Sequence, residues 1–158
     1  MLDVRYQKLI PYPFEVVLGQ YYDYEHIRFV HPETLGEYRL VERDGSSVVY
    51  EQVWPRRLGR RPRSLVRQTR LAPNELEFRF LAGRYKGVRV HTVLSEHPGG
   101  TLVDETYSMN LPGWRWLRRL VEKQVMRSVE RIWKEDLDVE VCYGGWPGVA
   151  PPAGGEET

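Results

Sequence analysis

The sequence predicts an α+β fold, a curved antiparallel β-sheet with one long α-helix across its concave face. Two observations lead there. Six stretches of period-two alternation follow one another as three pairs, each pair flanking turn residues, which is the pattern of successive hairpins. After them, from about Trp114 to Val141, the chain has no proline or glycine and carries apolar residues at helical spacing. A sheet and a helix that are each apolar on one side bury both surfaces most simply by packing on one another.

The elements follow in order. Residues 3 to 10, DVRYQKLI, alternate roughly and are rich in β-formers, and Pro11 and Pro13 end them. From Phe14 the run FEVVLGQYYDYEHIRFV loses alternation, and Phe14, Val17, Leu18 and Tyr21 take three-and-four spacing. This predicts a helix, broken near Gly19 or the histidines. Pro32 disfavours the helical region for His31, so the helix is expected to stop with His31 at its end. EYRLVER and SSVVYEQVW then flank Asp44 and Gly45; SLVRQTRLA and ELEFRFLAG flank Pro73 and Asn74; GVRVHTVLSE and TLVDETYSMN flank HPGG. The long helix presents Leu117, Val121, Val125, Val129, Ile132 and Trp133 as one stripe. Beyond it GGWPGVAPPAGGEET has little to bury, so residues 1–142 are expected to form the domain and 143–158 a disordered tail.

Bulk composition narrows the function classes. The 158 residues fit one domain, and a net charge of +1 with 28% charged residues gives no field that argues for nucleic acid. No window approaches a transmembrane length of apolar residues, and the start, MLDVRYQKLI, lacks the segments of a signal peptide. No membrane span and a cytoplasmic location are therefore expected. The single cysteine, Cys142, excludes an intrachain disulfide and any metal cluster held wholly by thiolates of one chain. The chain carries no internal repeat and no signature of a particular oligomeric state. WPRRLGRRPRSLVRQTR, residues 54 to 70, concentrates arginine, yet it lacks the interleaved aromatics that stack on bases. It reads as a solvated edge or a docking surface for an acidic partner. His91 in VRVHTV is expected to make an ordinary hydrogen bond, and His97 to sit exposed in a turn. Glu105, Tyr107 and Tyr85 are candidates to line the interior, depending on strand register.

Two of the four histidines fall within the stretch DYEHIRFVHP, residues 23 to 32. Neutral imidazole and carboxylate suit iron(II), and two histidines with one acid leave coordination positions open. On an ideal helix His26 and His31 point about 140° apart, so they converge only if the helix ends near Pro32. The long helix offers a carboxylate. Asp136 falls about 20° from Val129, inside the apolar stripe, where a carboxylate needs a partner. Glu135 and Asp138 lie off the stripe and can remain solvated.

The element order resembles the helix-grip fold of the START and Bet v 1 superfamily over roughly residues 3 to 141. Members of that superfamily hold an apolar cavity between sheet and C-terminal helix, and they include lipid carriers, polyketide cyclases and oxygenase catalytic domains. Within it, DYEHIRFVH resembles the iron-binding helix of the Rieske-type aromatic-ring-hydroxylating oxygenases. That resemblance implies iron(II), with zinc as a substitute, held by His26, His31 and Asp136. It gives Asp23 the catalytic role of hydrogen-bonding a histidine ligand and linking the metal to an electron path. The sequence departs from the pattern in having Gln20 where an asparagine is common, and in lacking the cluster domain with its cysteines. Electrons would then come from a partner electron-donor protein, or the chemistry needs none, or the site has become a binding site. Two functions follow: an oxygenase-like protein acting on an apolar or aromatic small molecule, or a metal-free carrier or cyclase-like protein holding a hydrophobic molecule in the same cavity.

Overall fold

The computed structural model describes residues 1–23, 31, 34–56, 59–110 and 115–138, with side chains of the last helix described for residues 118–135. Among the described residues nine elements run in the order β1 (Leu2–Ile10), α1 (Phe14–Tyr22), β2 (Glu37–Asp44), β3 (Ser47–Val53), β4 (Arg63–Ala72), β5 (Glu75–Gly83), β6 (Arg89–His97), β7 (Gly100–Met109) and α2 (Arg115–Asp138). Each strand of the three pairs expected from the sequence lies where alternation placed it. The seven strands form one antiparallel sheet in the order β1-β7-β6-β5-β4-β3-β2. Six of them are a meander of hairpins, and β1 returns to pair with β7, from Leu2 opposite Met109 to Ile10 opposite Thr101. Register shifts at Leu40/Glu42, Leu65/Val66 and Arg70/Ala72 interrupt the ladder on the β2–β5 side, and such irregularities bend a sheet.

Alternation sorts the side chains between two faces. On β7 Thr101, Val103, Glu105 and Met109 are buried, and on β6 Val90, Thr92 and Leu94. On β1 the same inner face carries Leu2, Val4 and Ile10. This face meets α1 and α2. Ile10, Leu76, Leu94 and Val103 of the sheet, Val17 and Leu18 of α1, and Val129 and Trp133 of α2 form one core cluster. Nearer the start of α2, Val121, Val125 and Met126 cover Leu2, Val4 and Met109. The Trp133 ring stands edge-on to Tyr6 at 4.7 Å, and the Lys8 ammonium lies 5.1 Å from its centroid. Burial of an apolar side chain of this size is worth about 1.5–3 kcal/mol, so Val129 and Trp133 hold the helix on the sheet.

The outer face is polar and self-paired. Arg5 and Gln7 donate to Asp104, at 2.9 Å from the Arg5 Nε and 2.7 Å from the Gln7 amide. Arg79 donates to Glu77, and Arg89 lies 3.3 Å from the same carboxylate. His91 sits on this face with its Nε2 2.6 Å from Glu75, the ordinary hydrogen bond expected for it. His97, expected in a turn, is exposed but is the last residue of β6, opposite Gly100.

The stretch after β1 differs from its sequence reading. Pro13 caps α1, its carbonyl accepting from the Val16 and Val17 amides, and the helix runs through Gly19 unbroken. It ends at Tyr22, with Asp23 already extended. Residues 24–30, and with them His26, lie outside the described residues. The arginine-rich segment is partly neutralised by its own sheet. Arg61 lies 2.6 Å from Glu37 and Arg63 3.3 Å from Glu51, both pairs at the surface, while Arg70 stacks on Tyr22. Cys142 and residues 143–158 lie outside the described residues.

Candidate functional site

The inner face of the sheet carries a chain of polar groups through an otherwise apolar interior. Glu105 is 5% exposed and lies between Thr92 of β6 and Tyr6 of β1 in register. Three hydroxyls converge on its carboxylate. Tyr107, two residues along the same strand, donates to Oε2 at 2.7 Å; Tyr21 of α1 and Thr92 make longer contacts to Oε1, each 3.4 Å. Burial pushes the Tyr107 phenol well above its ordinary range, and the neighbouring Glu105 charge pushes it further in the same direction. It stays a donor throughout the physiological range. Tyr6 is shifted upward for similar reasons, burial first, with Glu130 and Glu105 adding to it.

Tyr21 joins this centre to a second one. Its hydroxyl faces Glu105, and its carbonyl accepts a 2.8 Å hydrogen bond from the Gln68 amide on β4. Gln68 lies on the inner face, opposite Val48 of β3 and Phe78 of β5. Next in the chain to Tyr21 is Gln20, in the last turn of α1 and 5% exposed. Both amide atoms of Gln20 and the Oε1 of Gln68 are buried without a hydrogen-bond partner. A buried amide without partners costs about 1–3 kcal/mol, so three such atoms at one helix end call for a compensating group.

Further polar groups line the inner face toward β2. Tyr50 is 2% exposed and its ring lies 4.7 Å from that of Tyr38; burial pushes both phenols up strongly. At the far end of the same face Trp54 donates to Ser64 at 3.0 Å and meets Tyr85 edge-on at 4.9 Å. Tyr85 reaches that position from a turn in which its φ is +67°, a conformation uncommon for a side chain of its size.

The sequence-predicted metal set is represented here by His31. Its imidazole is 1% exposed, and its Nδ1 lies 2.8 Å from Glu135 Oε2. Thr34 donates to the other Glu135 oxygen. The His31 carbonyl accepts from the amides of Thr34, Leu35 and Gly36, and Gln52 holds the Leu35 carbonyl at 2.9 Å. His31 and the turn at 34–35 are thereby fixed between β3 and the end of α2. Glu135 lies off the helix stripe that meets the sheet, where the sequence left it free to remain solvated. It is instead engaged, because His31 and Thr34 meet that flank and give the helix a second contact. His26 and the side chain of Asp136 lie outside the described residues. Among the described residues no three histidine, cysteine or carboxylate groups converge as a metal site. Asp23 stands at the end of α1 with its backbone amide bonded to the Gly19 and Gln20 carbonyls.

Glu105 and Tyr107 are thus inner-face residues, whereas Tyr85, 42% exposed, is a turn residue packed on Trp54 and Phe80. Tyr21, Gln68 and Thr92 escaped the sequence reading as site residues, and Gln20 entered it only as a departure from the oxygenase pattern. Gln68 left no signal of its own, because β4 mixes it with Ser64, Thr69 and three arginines, and only its burial in step with Ser64 and Val66 shows that it shares their inner face.

No family model and no curated protein matches the chain. Among solved structures it is similar to TTHA0849 from Thermus thermophilus, with a TM-score of 0.68 and 25% identity over 85% of this chain and 93% of that one. A START superfamily protein from Mycobacterium smegmatis matches with a TM-score of 0.67 and 12% identity over 86% and 97% of the two chains. The Zhui aromatase/cyclase from a Streptomyces species matches with a TM-score of 0.61 and 14% identity over 87% and 89%. The antiparallel sheet closed by β1 on β7, with the long C-terminal helix packed on its inner face, is the helix-grip fold of the START and Bet v 1 superfamily.

Proposed function

We propose that this chain binds a mainly apolar, cyclic or aromatic small molecule between the inner face of its sheet and α2. The observation that carries this reading is Glu105, a carboxylate 5% exposed on the inner face and met by three hydroxyls. Replacing buried charges by packed apolar side chains is often neutral or stabilising, so a polar centre in such an interior earns its place by orienting something. The fold supports the same reading, since the Mycobacterium and Streptomyces structures named above are a START protein and an aromatase/cyclase. The test is fluorescence titration with anilinonaphthalene followed by displacement with naphthalene and naphthol. Saturable binding is expected, with naphthol the tighter competitor because its hydroxyl can donate to Glu105, and with that preference reduced in Glu105→Gln. Absence of saturable binding for all three molecules would overturn the proposal.

A second reading, iron or zinc held by His26, His31 and Asp136, is favoured by one observation. Glu135 holds His31 through Nδ1, and metal-binding imidazoles are commonly oriented by a carboxylate on their other nitrogen. In that reading Asp23 positions a ligating histidine, and any oxidation draws its electrons from a separate donor protein. Metal content of the purified protein, with and without His31→Ala, tests it.

A further inference from the structure

Gln20 and Gln68 present a defined hydrogen-bonding pattern. A primary amide has two donor hydrogens and a carbonyl with two lone pairs, side by side. In Gln20 both atoms are buried and neither has a partner; in Gln68 the nitrogen is committed to the Tyr21 carbonyl and the Oε1 has no partner. Gln68 is bonded to the backbone carbonyl of Tyr21, the residue next to Gln20, and the Tyr21 hydroxyl reaches Glu105, so Gln20 and Gln68 are both anchored at the last turn of α1. Val17, Leu18 and Leu76 pack in the core cluster beside this end of α1.

We infer that Gln20 is the specificity-determining residue for a ligand that carries an adjacent donor and acceptor on one edge, as in a lactam, a cyclic imide or a carboxamide, with Gln68 Oε1 accepting a further donor. This rests on the reading of the interior as a ligand site and assigns the polar chemistry of its occupant. A lactam edge and a glutamine amide complement one another atom for atom: the lactam N–H donates to Oε1 while the Nε2 hydrogen is accepted by the lactam carbonyl. A lactone offers the acceptor alone, and a hydrocarbon offers neither.

The experiment uses three bicyclic molecules of similar size, carbostyril, coumarin and naphthalene, as competitors of anilinonaphthalene on the full chain. For the wild type, carbostyril is expected to bind about tenfold more tightly than naphthalene, the factor carried by about 1.4 kcal/mol of net hydrogen bonding, with coumarin between them. In Gln20→Met, close in volume and without hydrogen-bonding atoms, the three should bind alike. The ligand-free variant should melt at or above the wild-type temperature, because it no longer buries an unpartnered amide. A purely structural glutamine would instead lower the melting temperature when replaced. Equal affinities of the wild type for carbostyril and naphthalene would overturn the inference while leaving the apolar site intact, and bridging by water alone predicts that result. Failure of every competitor to displace the probe would overturn the ligand-site reading itself. Should Gln20→Met fail to fold, Gln20→Leu carries the same comparison, and a carbostyril preference retained in a folded variant would assign it to Glu105 and overturn the inference.

Discussion

Tyr107 donates a 2.7 Å hydrogen bond to the carboxylate of Glu105, two residues back on the same strand and on the same inner face of the sheet. The pair places a proton donor and an acceptor in a region whose other walls are Val4, Val90 and Val103. Loss of the phenol hydroxyl leaves Oε2 without that donor. Tyr107→Phe should therefore lower stability by about 1–3 kcal/mol, measured by urea denaturation. An unchanged midpoint would mean that the carboxylate draws its support elsewhere.

The buried tyrosines set the alkaline limit of stability. The Tyr38, Tyr50 and Tyr107 phenols are held by burial above the unfolded value near 10.0, so their contribution is whole below that pH. As pH rises above it, the unfolded chain ionises first and stability falls. Tyr50→Phe should flatten that fall in denaturation midpoints measured across the alkaline range. On the acid side the Arg5 hydrogen bond holds the Asp104 carboxyl below its ordinary 3.8, so its contribution is present above that pH and lost as pH falls through the folded value. Asp104→Asn should remove a small part of the acid loss, and high salt should mimic it.

Gly83 is fixed by space as well as by conformation. Its φ is +77°, and a Cβ there would stand 2.0 Å from the Arg63 carbonyl oxygen, a backbone atom in the neighbouring strand. Gly83→Ala is expected to cost more than the roughly 1 kcal/mol of an unfavourable φ alone, since β4 must shift to make room. Thermal melting is the direct measure, and a loss within a few tenths of a kcal/mol would contradict the packing.

Metal dependence separates the two readings of the His31 region. If His26, His31 and Asp136 hold a metal, iron(II) or zinc should raise the melting temperature of the wild type and leave His31→Ala unmoved, because a ligand of the native state alone stabilises it by mass action. If His31 serves only to tie the segment before β2 to Glu135, melting should ignore metal in both proteins. His31→Ala would then simply be less stable, losing a buried ring and a 2.8 Å contact.

Local order was legible in the sequence where a short-range periodicity dictates it. Asp44 and Gly45 mark the β2–β3 turn, alternation marks each hairpin strand, and the unbroken spacing from Val121 to Trp133 marks the long helix, because turn chemistry and side-chain direction depend on neighbours a few residues away. The tertiary structure decided what those elements share. Tyr6 lies opposite Glu105, Gln68 reaches the Tyr21 carbonyl, and Glu135 meets His31 across contacts 99, 47 and 104 residues apart in the chain, counting the first as 105 − 6. Such meetings follow from β1 closing on β7, from β4 pairing between β3 and β5, and from a turn that docks on the flank of α2. Each is set by how whole surfaces pack, and no window of sequence contains both partners.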